Sequence, residues 1–177
     1  MPEKFFKSGF DTFATETDKE LEAKNVVEAF AKKPENRVLI LCGNNGNGKT
    51  HLACAAEREA GGEYITSSML CVKYDSAIGF KADMSREEIL RHYIYARGVL
   101  VIDECCKYFV NQDLEKFVLS TIVCGRYEND LASLLVTNGE KKQFLSFLGK
   151  AVYDRCTEVC TVVEFNWESK RKSRRAV

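Results

Sequence analysis

Val38-Leu39-Ile40-Leu41-Cys42 runs straight into Gly43-Asn44-Asn45-Gly46-Asn47-Gly48-Lys49-Thr50-His51-Leu52, and this stretch decides the fold. An unbroken apolar run fits a parallel strand buried on both faces. The residues after it spell the full G-x-x-x-x-G-K-[ST] pattern of a phosphate-binding loop. Glycines let backbone N–H groups curl inward around phosphate oxygens. The helix that follows turns the positive end of its dipole toward the anion. Lys49 would reach the β- and γ-phosphates of a nucleotide, and the Thr50 hydroxyl would ligate Mg²⁺. Gly43, Asn44, Asn45, Gly46, Asn47, Gly48, Lys49, Thr50 and His51 are therefore the candidate nucleotide-binding residues, with His51 closing the run in a structural rather than catalytic role. A glycine-rich turn matching the pattern by chance is the alternative. The strand-like run before the loop and the helix-like run after it argue against that.

A second landmark is Val99-Leu100-Val101-Ile102-Asp103-Glu104. Ligands of open α/β sheets sit at the carboxyl ends of the strands, which is where Asp103 falls. Its carboxylate suits the Mg²⁺ shell. Glu104, one residue on, points elsewhere and can polarise the water that attacks a γ-phosphate. The adjacent Asp-Glu pair fits hydrolytic phosphate-loop ATPases better than small-molecule kinases. A third landmark is Leu134-Leu135-Val136-Thr137-Asn138, another apolar run that ends in a side chain able to bond the γ-phosphate or the attacking water. Alone, Asn138-Gly139 is an ordinary turn. Its position after the Asp-Glu strand favours a sensing role.

The bulk properties fit this reading. A chain of 177 residues suits one domain with a real core. Lys and Arg together number 26, as do Asp and Glu, so charge alone does not indicate a strongly basic nucleic-acid binder. No apolar run is long enough to span a membrane, and Met1-Pro2-Glu3-Lys4-Phe5-Phe6 lacks a signal-peptide core. A cytoplasmic protein with no membrane partner is expected. The eight cysteines include no Cys-x-x-Cys pair, so zinc spacing is absent. Most lie in apolar segments and read as small buried hydrophobes, although Cys105-Cys106 and Cys156/Cys160 could be redox pairs.

In chain order, residues 1–16 form an arm with scattered phenylalanines (Phe5, Phe6, Phe10, Phe13) that packs onto the domain or onto a partner. Thr17 and Glu20 make a capping box that opens a helix to about Lys32, with Val26, Val27, Phe30 and Ala31 facing inward. A helix from Lys49 to about Ala60 stops at Gly61-Gly62. Glu63 to Thr66 is a short strand, after which Ser67 or Ser68 caps a helix through Tyr74; residues 75–84 are a loop. Ser85 and Glu88 form a second capping box for a helix to about Arg97. Asn111 to about Tyr127 is helical, with Leu114, Phe117, Val118 and Ile122 as its buried stripe. Phe144 to about Cys156 is helical with a possible break at Gly149, and Val159 to Phe165 is the last strand. Strands alternating with helices argue for a parallel sheet of about five strands covered on both faces.

Several stretches resemble the AAA+ domain of bacterial replicative-helicase loaders of the DnaC and DnaI type, and the related transposition ATPase IstB. They are Gly43 to Ala53, Val99 to Glu104, Ile122 to Tyr127, Leu135 to Asn138, Phe147 to Arg155 and Val163 to Arg171. The resemblance covers roughly residues 10 to 172. It implies a three-layer P-loop NTPase sandwich of AAA+ type without a full helical lid, in which residues 1–36 are an arm and helix and residues 37–177 the ATPase core. It implies ATP and Mg²⁺ as cofactors, the latter held by Thr50 and Asp103. It implies Glu104, Asn138 and Arg155 as catalytic residues, Arg155 being an arginine finger that reaches into a neighbour's ATP. Arg171 falls where the family has a second phosphate-sensing arginine. The sheet order would put the Asn138 strand between those carrying Lys49 and Asp103. The implied partners are a hexameric replicative DNA helicase, single-stranded DNA along the insert of residues 67–97, and further copies of the chain with ATP at their interfaces. Loaders usually carry a larger helicase-gripping region, whereas about 36 residues precede the loop strand here.

Weaker signals have plain alternatives. Arg155 is also an ordinary helix-end arginine. Lys73-Tyr74 to Phe80-Lys81 mixes cations with aromatics, as single-strand binders do and as exposed loops often do. The tail cations Lys170, Arg171, Lys172, Arg174 and Arg175 could touch DNA or form a solvated end, and charge alone favours the solvated end. His92 reads as structural, and Arg126 could face a neighbouring subunit. The competing functions are a transposition helper on duplex DNA, a P-loop small-molecule kinase, and a nucleotide-gated scaffold that barely hydrolyses.

Overall fold

Each apolar run becomes a strand because its alternate residues find a hydrophobic layer on both sides. The computed structural model describes residues 1–34, 37–78, 83–107, 111–156 and 159–170, with the backbone alone at 151, 155 and 156. The strands are β1 (Val38–Gly43), β2 (Gly62–Thr66), β3 (Val99–Cys105), β4 (Ser133–Thr137) and β5 (Cys160–Phe165). They form one parallel sheet in the order β2-β3-β4-β1-β5. The Asn138 strand thus lies between the other two site strands, as the resemblance implied.

Side chains alternate across the sheet. Leu39, Leu41, Val99, Val101, Leu134 and Val136 pack under α1 (Asp18–Lys32) and α2 (Lys49–Ala60). Ile40, Leu100, Ile102 and Leu135 face α3 (Ser67–Ser76), α4 (Arg86–Tyr95), α5 (Gln112–Glu128), α6 (Lys141–Leu148) and α7 (Lys150–Cys156). Each such fully buried side chain contributes roughly 1.5–3 kcal/mol relative to exposure.

The capping boxes at Thr17/Glu20 and Ser85/Glu88 both form. The expected serine cap of α3 does not. Thr66 caps it, accepting the Met69 N–H at 3.3 Å, because Ser67 is wholly buried and its hydroxyl donates to Glu115. The helix also runs on to Ser76, two residues into the expected loop. The stripe on α5 is turned from the expected one: Val118, Leu119, Ile122 and Val123 are buried with Glu115 and Arg126, while Phe117 is half exposed. Phe117 lies outside the core, against Tyr74, with ring centres 5.9 Å apart. The break at Gly149, φ +87°, separates α6 from α7.

Arg126 does not reach toward a neighbour. Its guanidinium is fully buried and donates to the carbonyls of Tyr93, Ile94, Ala96, Gly98 and Ala132 at 2.7–3.2 Å. Burial lowers its pKa to about 10, with Glu63 opposing the shift. This side chain staples the chain between α4 and β3 to the turn before β4. Cys42, Cys54, Cys71 and Cys105 are buried, as expected of small hydrophobes. Cys106 is exposed, and desolvation with the nearby Glu115 pushes its thiol up to about 12. Among the described residues, no helix is long and apolar enough to cross a membrane.

Candidate nucleotide site

The carboxyl ends of β1, β3 and β4 open into one cavity of about 320 Å³. Lys49, Thr50, Asp103, Glu104 and Asn138 all line it, so the landmarks read separately along the chain converge. The loop between β1 and α2 needs its glycines. Gly48 has φ +94° and a Cβ there would stand 2.4 Å from the Phe13 ring; Gly43 has φ +121° and a Cβ would stand 2.5 Å from the Phe165 carbonyl. Lys49 is buried, and its ammonium donates to the Gly43 and Asn44 carbonyls at 2.7 and 2.6 Å. His51 bonds the arm instead, with Nε2 3.1 Å from Thr12 Oγ1 and 3.0 Å from the Gly9 carbonyl, which fits a structural role.

Asp103 and Glu104 are set apart by a register slip. β3 advances from Ile102 to Cys105 while β4 advances from Leu135 to Thr137, so one extra residue bulges out at the Asp-Glu pair. Asp103 stays buried; its Oδ2 accepts from the Tyr64 hydroxyl at 2.7 Å and its Oδ1 from the Glu104 N–H at 2.6 Å. Burial, and then the Asp103 charge, push the Tyr64 phenol well above its usual range. Glu104 sits at φ +59° and Cys106 at φ +62°. Left-handed conformations in non-glycine residues cost of order 1–3 kcal/mol each and persist only where neighbours hold them. The Glu104 carboxylate is engaged by Lys107 at 2.5 Å. The Thr50 hydroxyl and the Asp103 carboxylate both line the cavity, and oxygen donors of this kind suit Mg²⁺.

The rest of the cavity was not foreseen. Phe13 from the arm, buried against Gly48, and Lys170 line it too. The segment after β5 grips the loop from behind. Asn47 Nδ2 donates to the Phe165 carbonyl at 2.9 Å, Trp167 Nε1 donates to the Asn47 carbonyl at 3.1 Å, and the Lys170 N–H donates to Gly46 at 2.9 Å. Lys170 Nζ pairs with Glu20 at 2.9 Å. The one hint in sequence was the phenylalanine spacing of the arm. Arg155 falls in the last turn of α7, described as backbone only, and Arg171 lies outside the described residues. Phe80 and Lys81 also lie outside them. Tyr74 is already flanked by Phe117 and by the Arg86 guanidinium, 5.0 Å from its ring centre.

A five-stranded parallel sheet in this order, a phosphate loop after β1 and an Asp-Glu pair at the end of β3, with β4 between them, define an AAA+ P-loop NTPase fold. The chain matches the IstB-like ATP binding protein family over residues 6–177 and belongs to it. No curated protein matches the sequence closely enough to count as a relative. Among solved structures it is similar to the DnaC helicase loader, with a TM-score of 0.78 at 20% identity over 92% of this chain and 99% of that one. It is similar to DnaI, with a TM-score of 0.72 at 18% identity over 97% and 94% of the two chains. The replication initiator DnaA bound to AMPPCP and single-stranded DNA gives a TM-score of 0.70 at 18% identity over 92% of this chain and 50% of that one. At these identities the likeness is one of fold.

Proposed function

We propose that the chain binds ATP with Mg²⁺ and hydrolyses it, as a helicase loader that holds single-stranded DNA and delivers a hexameric replicative helicase. In this reading residues 1–36 are an arm and helix on an ATPase core of residues 37–177. The observation that carries it is the convergence of Lys49, Thr50, Asp103, Glu104 and Asn138 on one cavity. Lys49 exchanges its two carbonyl contacts for phosphate oxygens, and residues 43–51 wrap the phosphates with backbone N–H groups. Thr50 and Asp103 would hold Mg²⁺, which would supply positive charge to the phosphates. Glu104 leaves Lys107 and accepts a proton from the attacking water, while Asn138 orients that water or the γ-phosphate. Arg155 of one copy completes the site of the next copy, and Arg171 is a second phosphate-sensing arginine. The fold shared with the two loaders over nearly their whole length supports the loader reading.

A second reading, a transposition helper on duplex DNA, is favoured by the family match itself. Phosphate release is to be measured with no acceptor present, then with single-stranded or duplex DNA across protein concentrations, alongside capture of a replicative helicase. Single-strand stimulation with helicase capture supports the loader. Duplex stimulation without capture supports the transposition helper. No phosphate release under any condition would leave the kinase or scaffold readings and sink both.

A further inference from the structure

Glu115 is a carboxyl group with no exposed surface, on the helix that follows the Asp-Glu strand. It lies in the first turn of α5, whose cap is Asn111. Its Oε1 accepts the Cys106 N–H at 2.9 Å and the Ser67 hydroxyl at 2.5 Å; its Oε2 is buried with no partner among the described residues. The positive end of the α5 dipole favours a negative group there.

The two partners explain why it matters. Cys106 ends the strained turn that carries Glu104. Each residue of that turn is pinned by one group: Glu104 N–H by Asp103 Oδ1, the Cys105 carbonyl by Thr137 Oγ1 at 3.0 Å, and Cys106 N–H by Glu115. Asp103 and Thr137 belong to the sheet. Glu115 is the one of the three that comes from a helix, and through Ser67 it also ties the turn to the start of α3, next to Thr66, the strand partner of Asp103. A left-handed pair at Glu104 and Cys106 needs such fixation.

We propose that Glu115 is the positioning residue for the Glu104 carboxylate: it holds the Cys106 end of the turn so that Glu104 stays aimed into the cavity. The inference rests on Glu104 acting as the base. Displacement of a catalytic group by about 1 Å can cost about 10²-fold in rate. Glu115→Ala should therefore bind ATP like the wild type and hydrolyse it about 10–10²-fold more slowly in single turnover. Glu115→Gln, which keeps an oxygen for the Cys106 N–H, should recover most of the rate. Two readouts separate positioning from general weakening. In a Glu104→Gln background, Glu115→Ala should cause no further loss, since it acts only through Glu104. Hydrogen exchange at the Cys106 amide should quicken in Glu115→Ala and stay slow in Glu115→Gln. If Glu115→Ala fails to fold, Glu115→Asp, which draws the carboxyl back by one methylene, takes its place in both comparisons. A slow Glu104→Gln with an additive loss from the Glu115 variant, or an unchanged Cys106 amide, overturns this inference alone. A wild-type rate in Glu104→Gln overturns the reading of Glu104 and this inference together.

Discussion

The two walls of the cavity are built in opposite ways. One is built of short motifs, the phosphate loop and the strand ends at Asp103-Glu104 and Asn138, each of whose residues are neighbours in sequence. The other joins Phe13 from the arm and Lys170 from beyond β5, and behind it Trp167 and Phe165 grip Asn47 from 118 to 120 residues away. A contiguous motif fixes where charge goes. Distant groups fix how firmly the motif is held. The first should therefore govern rate and the second affinity and stability, and the predictions test that division.

The largest effect is expected at Arg155, a residue of neither wall that the shared-site reading assigns to a neighbouring copy. An arginine on the γ-phosphate offsets charge developing in the transition state, worth about 10³–10⁵ in rate in other phosphoryl-transfer enzymes. Arg155→Ala should bind ATP almost normally and turn it over poorly. Mixed with Lys49→Ala, which lacks the loop lysine but keeps Arg155, it should regain part of the wild-type rate. No recovery at any ratio, with co-assembly shown independently, would place Arg155 in its own site or in none.

Next comes Glu104→Gln, nearly isosteric and affecting the base alone. It should keep ATP affinity and lose about 10²–10⁴ in single-turnover rate. If affinity falls and rate does not, the motif side is not the chemical side, and the division between the walls fails.

What the sequence could and could not yield follows the same line. The loop, the Asp-Glu pair and Asn138 were legible because each is a local pattern at a strand end. The bulge between Ile102 and Cys105 was not, since register is a property of two strands. Phe117 was misplaced because four apolar residues at helical spacing allow more than one stripe, and packing by α3 and α4 chose the one through Leu119 and Val123. The serine cap of α3 failed because a buried glutamate nearly 50 positions on took the hydroxyl. Lys170 was read as one cation of a basic tail. Its pairing with Glu20 has no local signature, because Glu20 also completes a capping box that needs no lysine.

On the assembled wall, Trp167→Phe keeps an aromatic ring against Phe165 and removes the N–H that holds the Asn47 carbonyl. A hydrogen bond of this kind is worth about 0.5–1.5 kcal/mol. Looser support of the loop should weaken ATP binding by a few-fold, about the low end of that range, with kcat nearly kept. A drop in kcat at unchanged affinity would mean the rear support shapes the transition state and not only the ground state.

The smallest effect is expected at Glu20, and its pH dependence makes it sharp. Burial works to raise the Glu20 pKa, but the bond and charge of Lys170 and the backbone N–H groups of Glu16 and Thr17 outweigh it, so the carboxylate titrates below its ordinary 4.5. A carboxylate with a depressed folded-state pKa contributes stability that is complete above the unfolded value and lost as pH falls through the folded one. Glu20→Gln retains an oxygen for the capping bonds and discards the charge together with the oxygen that accepts from Lys170. It should be less stable than the wild type at neutral pH, by about 1 kcal/mol or less since Lys170 is partly exposed. The gap should close on acidification below about pH 4.5, where protonated Glu20 becomes equivalent to glutamine. Urea unfolding of both proteins from pH 7 to pH 3 reads it directly. A gap that stays constant across that range would mean the Lys170 contact contributes shape without charge. Glu20 would then matter to the wall only as a cap for α1.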